Sequence, residues 1–211
     1  MLFRSFFMKK KIAMLMCVAL MTTMVGCGSQ GNAVNEPEVE ASEVVTNEAV
    51  ATVEVADSVE LLANVWSTYD EADKFPIGGG DYENMVTDSV GAFDVTKTED
   101  LDSLLGMPAD GAAMIDDAAS MMHMMNANTF TSGAYHLTDA ANKQAFADLL
   151  KDNIMNRQWM CGFPDTLLIV SVGDEYMVSA FGEAQIMENF KTKLLAQYEA
   201  AEVLYEESLA E

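Results

Sequence analysis

Apolar residues spaced three and four positions apart predict four longer helices after residue 57. The first begins after Asp57 or Ser58, both suitable N-cap residues, and its apolar face is Val59, Leu62, Trp66 and Tyr69. A second helix is predicted after Pro108, with the stripe Met114, Ile115, Ala118, Met121, Met122 and Met125. A third follows Thr138, with a core face of Phe146, Leu149, Leu150 and Ile154. The last carries Met187, Phe190, Leu194, Tyr198, Ala201 and Tyr205 before an acidic tail.

Extended segments lie between these helices. Residues 126–137 are predicted to be extended, and the run TLLIVSV, the turn Gly173-Asp174 and the run EYMVSAFG together predict a β-hairpin. The three glycines from Gly78 to Gly80 lack the Lys-Ser/Thr that follows a phosphate-binding loop, so a turn is the preferred interpretation. The order of elements predicts an α+β fold, a small antiparallel sheet with helices packed on one face.

The N-terminus has the pattern of a secretory signal. Four basic residues precede an apolar stretch, Ile12 to Val25, that is too short for a membrane span. The stretch ends in Met24-Val25-Gly26-Cys27, which resembles a bacterial lipobox. Residues 1–26 are therefore predicted to be a lipoprotein signal peptide and Cys27 the lipidated residue, attached to the membrane by two kinds of acyl chain. The alternative is an ordinary cleaved signal with a chance cysteine.

Residues 27–57 are predicted to be a disordered acidic tether. From Gly28 to Asp57 the chain has neither an aromatic nor a basic residue, so it cannot bury enough apolar surface to fold. Removing the signal, which holds four of the 11 basic residues and none of the 34 acids, leaves a net charge of −27. Such a charge repels phosphate backbones and excludes nucleic acid as a partner. Residues 58–211 are long enough for a single α+β domain.

Four methionines surround one histidine in the sequence Met121-Met122-His123-Met124-Met125. On a helix, His123 lies about 200° from Met121 and Met125, so no chelate forms within the element. On a strand, Met121, His123 and Met125 share one face, and thioether and imidazole ligands suit Cu(I). The longer methionine stripe favours the helix, and hence core packing rather than a metal site.

Cys161 is the only cysteine left for the folded domain, because Cys17 leaves with the signal and Cys27 takes lipid. An internal disulfide is therefore excluded. A reactive thiol would need a base, for which His123 and His136 are the candidates, and an orienting carboxylate such as Asp165. The alternative is an inert buried thiol in the turn before the hairpin.

Four stretches of the domain are distinctive: FPIGGGDYENMV, IDDAASMMHMMNANTFTSGAYHL, NRQWMCGFPDTLLIVSVGDEYMVSAFG and FKTKLLAQY. They resemble uncharacterised surface lipoproteins of anaerobic Gram-positive bacteria that are often labelled "bacteriocin transport accessory protein". The resemblance covers about residues 58 to 200 and implies a surface lipoprotein, with no catalytic residue to carry over. Some proteins under that label use a Cys-x-x-Cys pair, whereas this chain has the lone Cys161.

Two functional hypotheses follow. The first is a lipid-anchored binding or accessory protein on the extracytoplasmic face of the membrane, without catalytic activity or cofactor, that supports an export system. Its partners would be the membrane, through the anchor, and an unknown peptide, protein or small ligand. The alternative is a thiol- or soft-metal-dependent (Cu) surface protein that uses Cys161, His123, Met121 and Met125.

Overall fold

The computed structural model describes residues 53–160 and 162–210, so Cys27, Cys161, the signal peptide and most of the tether lie outside the described residues. The described residues fall within one compact unit. They form an eight-stranded sheet, antiparallel at every pairing, and five α-helices. The predicted α+β class is confirmed.

The helices are α1 (Ser58–Ser67), α2 (Thr98–Asp100), α3 (Ala109–Ala112), α4 (Lys143–Met155) and α5 (Ala184–Gln197). The strands are β1 (Ile77–Gly79), β2 (Val86–Thr87), β3 (Gly91–Ala92), β4 (Ile115–His123), β5 (Phe130–Leu137), β6 (Thr166–Val172), β7 (Tyr176–Gly182) and β8 (Ala201–Ser208). A π-helical turn (Leu101–Leu105) follows α2, and a 3-10 turn (Ala140–Asn142) precedes α4. The strand order is β2-β1-β4-β5-β7-β6-β8, with β3 also paired to β4.

The sheet is covered on both faces, whereas helices had been predicted on one face. Successive strand residues point to opposite sides, and in β6 Leu168 and Val170 join one core while Leu167 and Ile169 join the other. The first core contains α1 and α5, and the second contains α4 with the short helical segments around residues 101–112. A single sheet thus separates two helical layers.

Several predicted elements are confirmed. Helix α1 begins after Asp57, whose side chain accepts a hydrogen bond from the Glu60 amide at 2.8 Å. Strand β5 occupies most of the segment predicted to be extended, and β6 and β7 form the predicted hairpin. Helix α4 has the predicted core face except that Ala147, not Leu149, is fully buried. Its preceding turn is capped by Asp139, which replaces the predicted Thr138.

The helix predicted after Pro108 is wrong beyond its first turn. Helix α3 ends at Ala112, and the methionine-rich segment forms β4. This strand pairs with β5 on one side and with β1 and β3 on the other. Because β4 is buried on both faces over Ala118 to Met122, its apolar residues do not alternate with polar ones. A continuous apolar run of this kind cannot be distinguished from a buried helix by its period.

The predicted last helix is too long. Helix α5 ends at Gln197, and Ala201–Ser208 forms β8, an edge strand paired with β6. Val203 and Tyr205 pair with consecutive β6 residues, so Leu204 is the extra residue of a β-bulge. The bulge interrupts the period-two pattern of β8. Tyr198, Ala201 and Tyr205 are also three and four positions apart, which is the spacing of one face of a helix.

The folded domain begins earlier than predicted. Val53 and Val55 pack against the first core, so the chain contacts the domain before residue 58, where the domain was predicted to begin.

Among the described residues, no helix has the length and apolar character needed to cross a membrane.

The Gly78–Gly80 segment is explained by a backbone junction at the edge of β4. Strands β1 and β3 pair with successive parts of that edge, and their backbones meet where one ends and the other begins. A Cβ placed on Gly79 would overlap the Gly91 nitrogen and the Ser120 carbonyl oxygen. Gly80 has a φ of 95°, which favours glycine, and both its N–H and its carbonyl bond the Ser120 hydroxyl. The glycines therefore serve a close approach between strands.

We expect Gly79→Ala to lower the free energy of unfolding by about 3 kcal/mol or more, because backbone atoms must move to admit the methyl group. Gly78→Ala is the matched control, since its Cβ would meet the Val86 oxygen at 3.3 Å and a flexible Met124 carbon at 3.4 Å. Its expected cost is below about 1 kcal/mol. Denaturant unfolding of both variants measures the difference, and equal costs would contradict the close-approach explanation.

Candidate functional site

The structure does not assemble the predicted site of Met121, His123 and Met125. Met121 is fully buried in the first core, whereas Met125 lies beyond the end of β4 and is 82% exposed. The Nδ1 atom of His123 accepts a hydrogen bond from the Met125 amide at 3.1 Å, and the ring stacks on Phe75 at 5.2 Å. Met121 therefore packs in the core, His123 stabilises the turn after β4, and Met125 lies at the surface.

The predicted thiol site with His136 is not assembled either. Nδ1 of His136 pairs with Asp116 at 2.6 Å, beside Tyr176 at the start of β7. Asp165 lies at the other end of that strand, where its amide bonds the Gly182 carbonyl and its carboxylate accepts from the first amide of α5. The length of a seven-residue strand, about 20 Å, separates the two residues. Cys161 itself lies outside the described residues.

Two methionine-bearing loops are held together by the side chain of Asn128. The Asn128 side-chain amide donates to the carbonyl oxygens of Met160 and Gly162, each at 3.0 Å. Met160 is 81% exposed, and Met125 belongs to the turn that contains Asn128. Among the described residues, no group of three or more His, Cys, Asp or Glu side chains is arranged to hold a metal ion.

A cleft of about 590 Å³ lies between the segment that follows α1 and the part of α5 from Gln185 to Thr192. We name it the α1–α5 cleft. Its lining residues are Tyr69, Asp73, Phe75, Glu183, Gln185, Ile186, Glu188, Asn189 and Thr192. The volume is in the range of small-ligand sites in proteins. The cleft could not be predicted from the sequence, because its two walls are more than 100 positions apart and contain no recognisable motif.

The aromatic wall of the α1–α5 cleft is anchored in the first core. Trp66 contacts Tyr69 and Phe75, with ring centroids 4.6 and 5.2 Å apart. Phe75 contacts Phe130 in turn, and Phe130 contacts the fully buried Phe190 of α5. Edge-to-face contacts of this kind fix ring orientations. The wall is thus continuous with the core, which holds it in place.

Tyr69 contributes a buried polar group to this wall. Its side chain is only 5% exposed, and its hydroxyl has no hydrogen-bond partner among the described residues. Burial, and then the negative charge of Asp73, raise the pKa of Tyr69, so the hydroxyl stays protonated.

A second polar feature, buried Asp81, is structural. The side chain is 1% exposed and accepts from Lys97 Nζ at 2.8 Å, from the Asn84 side chain, and from the amides of Glu83 and Asn84. Burial alone raises the pKa of Asp81, but the hydrogen bond from Lys97 and those from Asn84 and Glu83 outweigh it and hold the pKa well below its usual range. With every partner supplied by the protein, Asp81 fixes the loop after Gly80.

Comparison with known proteins found no family model, no curated protein and no solved structure that matches this chain. The α1–α5 cleft offers an apolar wall and carboxylates, a combination suited to binding.

We expect Asp81→Asn to lower the free energy of unfolding at about pH 7 by about 2 kcal/mol, because it weakens charge-assisted hydrogen bonds. The pKa of Asp81 is lower when folded than the value of about 3.9 when unfolded, so the stabilisation is present above about pH 4 and is lost as pH falls further.

Denaturant unfolding at about pH 7, 5 and 3 should therefore show the wild type and Asp81→Asn converging as pH falls. The exposed Glu202, changed to Gln, is the control and should track the wild type throughout. A difference that does not depend on pH would contradict a role for the Asp81 charge.

Proposed function

We propose that this chain is a lipid-anchored extracytoplasmic binding protein without catalytic activity, and that its ligand occupies the α1–α5 cleft. The observation that carries the proposal is a cleft of about 590 Å³ whose wall combines aromatic rings anchored in the first core with three carboxylates. Binding sites commonly combine an apolar wall with a few polar groups that orient the ligand. Support of an export system is the more specific form of this proposal and depends on the sequence resemblance alone.

The location part of the proposal depends on Cys27, which lies outside the described residues. We expect Cys27→Ala to release the protein from the membrane fraction, because the thiol is the attachment point of the lipid. Cys17→Ala, within the same signal, is the matched control and should leave the protein membrane-bound. Membrane fractionation with a salt wash is the measurement, and an unchanged distribution of Cys27→Ala would contradict the anchor.

The binding part can be measured through Trp66. Because this side chain contacts two aromatic residues that line the α1–α5 cleft, its fluorescence responds to a ligand placed between them. The chain has two tryptophans, and the second, Trp159, contacts Phe181 in the second core. Trp159→Phe therefore leaves an emission that reports on the cleft.

A second candidate function, soft-metal binding, is favoured by the contact between the two methionine-bearing loops. The Asn128 bonds hold the backbone on both sides of Cys161 beside the turn that contains Met125. Exposed thioethers and a thiol are ligands that Cu(I) prefers. The ligand set we propose replaces the buried Met121 with Met160 and keeps Met125 and Cys161.

Native mass spectrometry of the anaerobically purified protein, with and without Cu(I) and Zn(II), tests this candidate. We expect one bound Cu(I), and we expect it to be lost when Met125 and Met160 are both changed to Leu, which keeps size and removes sulfur. Met85 and Met155, also exposed, provide the control pair. Absence of a stoichiometric adduct, or one that persists in the Met125/Met160 variant, would exclude these methionines as ligands.

A further inference from the structure

We infer that the ligand of the α1–α5 cleft is a guanidinium or ammonium group on an apolar stem. This inference rests on the proposed function and names the class of ligand. It starts from the charge of the lining residues, which include the acids Asp73, Glu183 and Glu188 and no basic residue.

The carboxylates at the cleft are available to a ligand. Among the described residues, no Lys, Arg or His nitrogen lies within 4.0 Å of the carboxylates of Asp73 and Glu183. Glu188 lies 3.7 Å from Lys191, whose closer partner is Glu206 at 2.9 Å. The excess negative charge at the cleft is thus balanced only weakly by the protein.

Two nearby positive groups already have partners within the protein. Lys193 is outside the set of lining residues; it donates to the Thr68 carbonyl at 2.8 Å, lies 3.7 Å from Asp70, and places its Nζ 5.8 Å from the centroid of the Tyr69 ring. The N-terminus of α5 would also favour an anion, but its first amide donates to the Asp165 carboxylate at 3.0 Å.

The aromatic and aliphatic part of the lining selects the rest of the ligand. Phe75 presents a ring to which a cation is attracted, most strongly where water is excluded. The neighbouring Tyr69 ring already has the Lys193 ammonium 5.8 Å from its centroid, which shows that this wall accepts a cation. Ile186 adds an apolar contact for a methylene stem. Gln185 and Asn189 supply amide groups that can orient the ligand. An arginine side chain has both the charge and the stem, whether it is free or part of a peptide.

The experiment uses the full chain with Trp159→Phe in nonionic detergent, titrated with two tripeptide amides. N-acetyl-Ala-Arg-Ala-amide carries the cation, and its citrulline counterpart replaces guanidinium by a neutral urea of almost the same shape. Agmatine, a free cation, separates small-molecule from peptide recognition, and the tripeptides with Glu or norleucine in the central position complete the set. We expect the arginine probe to bind at least roughly tenfold more tightly than citrulline, because only the cation pairs with the carboxylates.

Charge-matched variants test where the cation binds. The cleft variant combines Asp73→Asn, Glu183→Gln and Glu188→Gln, and the control variant combines Asp110→Asn, Glu99→Gln and Glu202→Gln at exposed positions outside the cleft. Both remove three negative charges, so a general field effect changes both equally. We expect arginine affinity to fall roughly tenfold in the cleft variant and to stay within about twofold in the control.

Each outcome decides between the two claims. Preferential binding of the arginine probe or agmatine that is lost only in the cleft variant supports the inference. Equal binding of arginine and citrulline, or equal losses in both variants, overturns the cationic class but leaves the cleft as a binding site. If none of the five probes changes Trp66 emission, the inference falls and the α1–α5 cleft loses its support as the binding site of the proposed function.

Discussion

Burial of the central sheet on both faces is the constraint on which the rest of the structure depends. Strands β6 and β7 are almost entirely buried, and their alternating side chains are divided between two cores. Each face must therefore be covered by helices, because an uncovered apolar face would remain in water. Helices α1 and α5 cover one face, and their fully buried residues, such as Leu61 and Phe190, fix where the two helices lie.

The α1–α5 cleft is a consequence of that arrangement. Helix α1 ends at Ser67, and the chain returns to the sheet only at Ile77, so the segment between them forms one wall beside α5. The contacts of Trp66 and Phe75 with core aromatic rings hold this segment in place. When the residues that line a cleft are already held in place, less conformational entropy is lost on ligand binding than when the ligand must order them. Its rim is acidic because both the segment and the first half of α5 carry carboxylates.

The sequence predicted best where local signals agree with the tertiary environment. The β6–β7 hairpin has a Gly-Asp turn between apolar runs, and α1 has the Asp57 cap, so each is specified locally. Strand β4 and strand β8 were predicted as helix because burial on both faces removes alternation from one and a bulge interrupts it in the other. The cleft could not be predicted, since it depends on how α5 packs against a segment distant in sequence. The glycines before Asp81 indicate a turn, but the local sequence does not reveal that the Gly79 backbone lies against Gly91 and Ser120.

The position at which the chain enters the domain bears on the proposed function. Val53 borders a surface depression shared with Gln197 and Tyr198, at the C-terminal end of α5. The α1–α5 cleft borders the same helix from Gln185 to Thr192, and the five residues from Thr192 to Gln197 span about 8 Å. A tether that leads from Cys27 to Val53 would thus attach the domain near the C-terminal end of α5, beyond the end of the cleft. With that attachment, an anchored domain can turn its acidic cleft toward a soluble cationic ligand, and the same acidic charge opposes close approach of the domain to anionic lipid head groups.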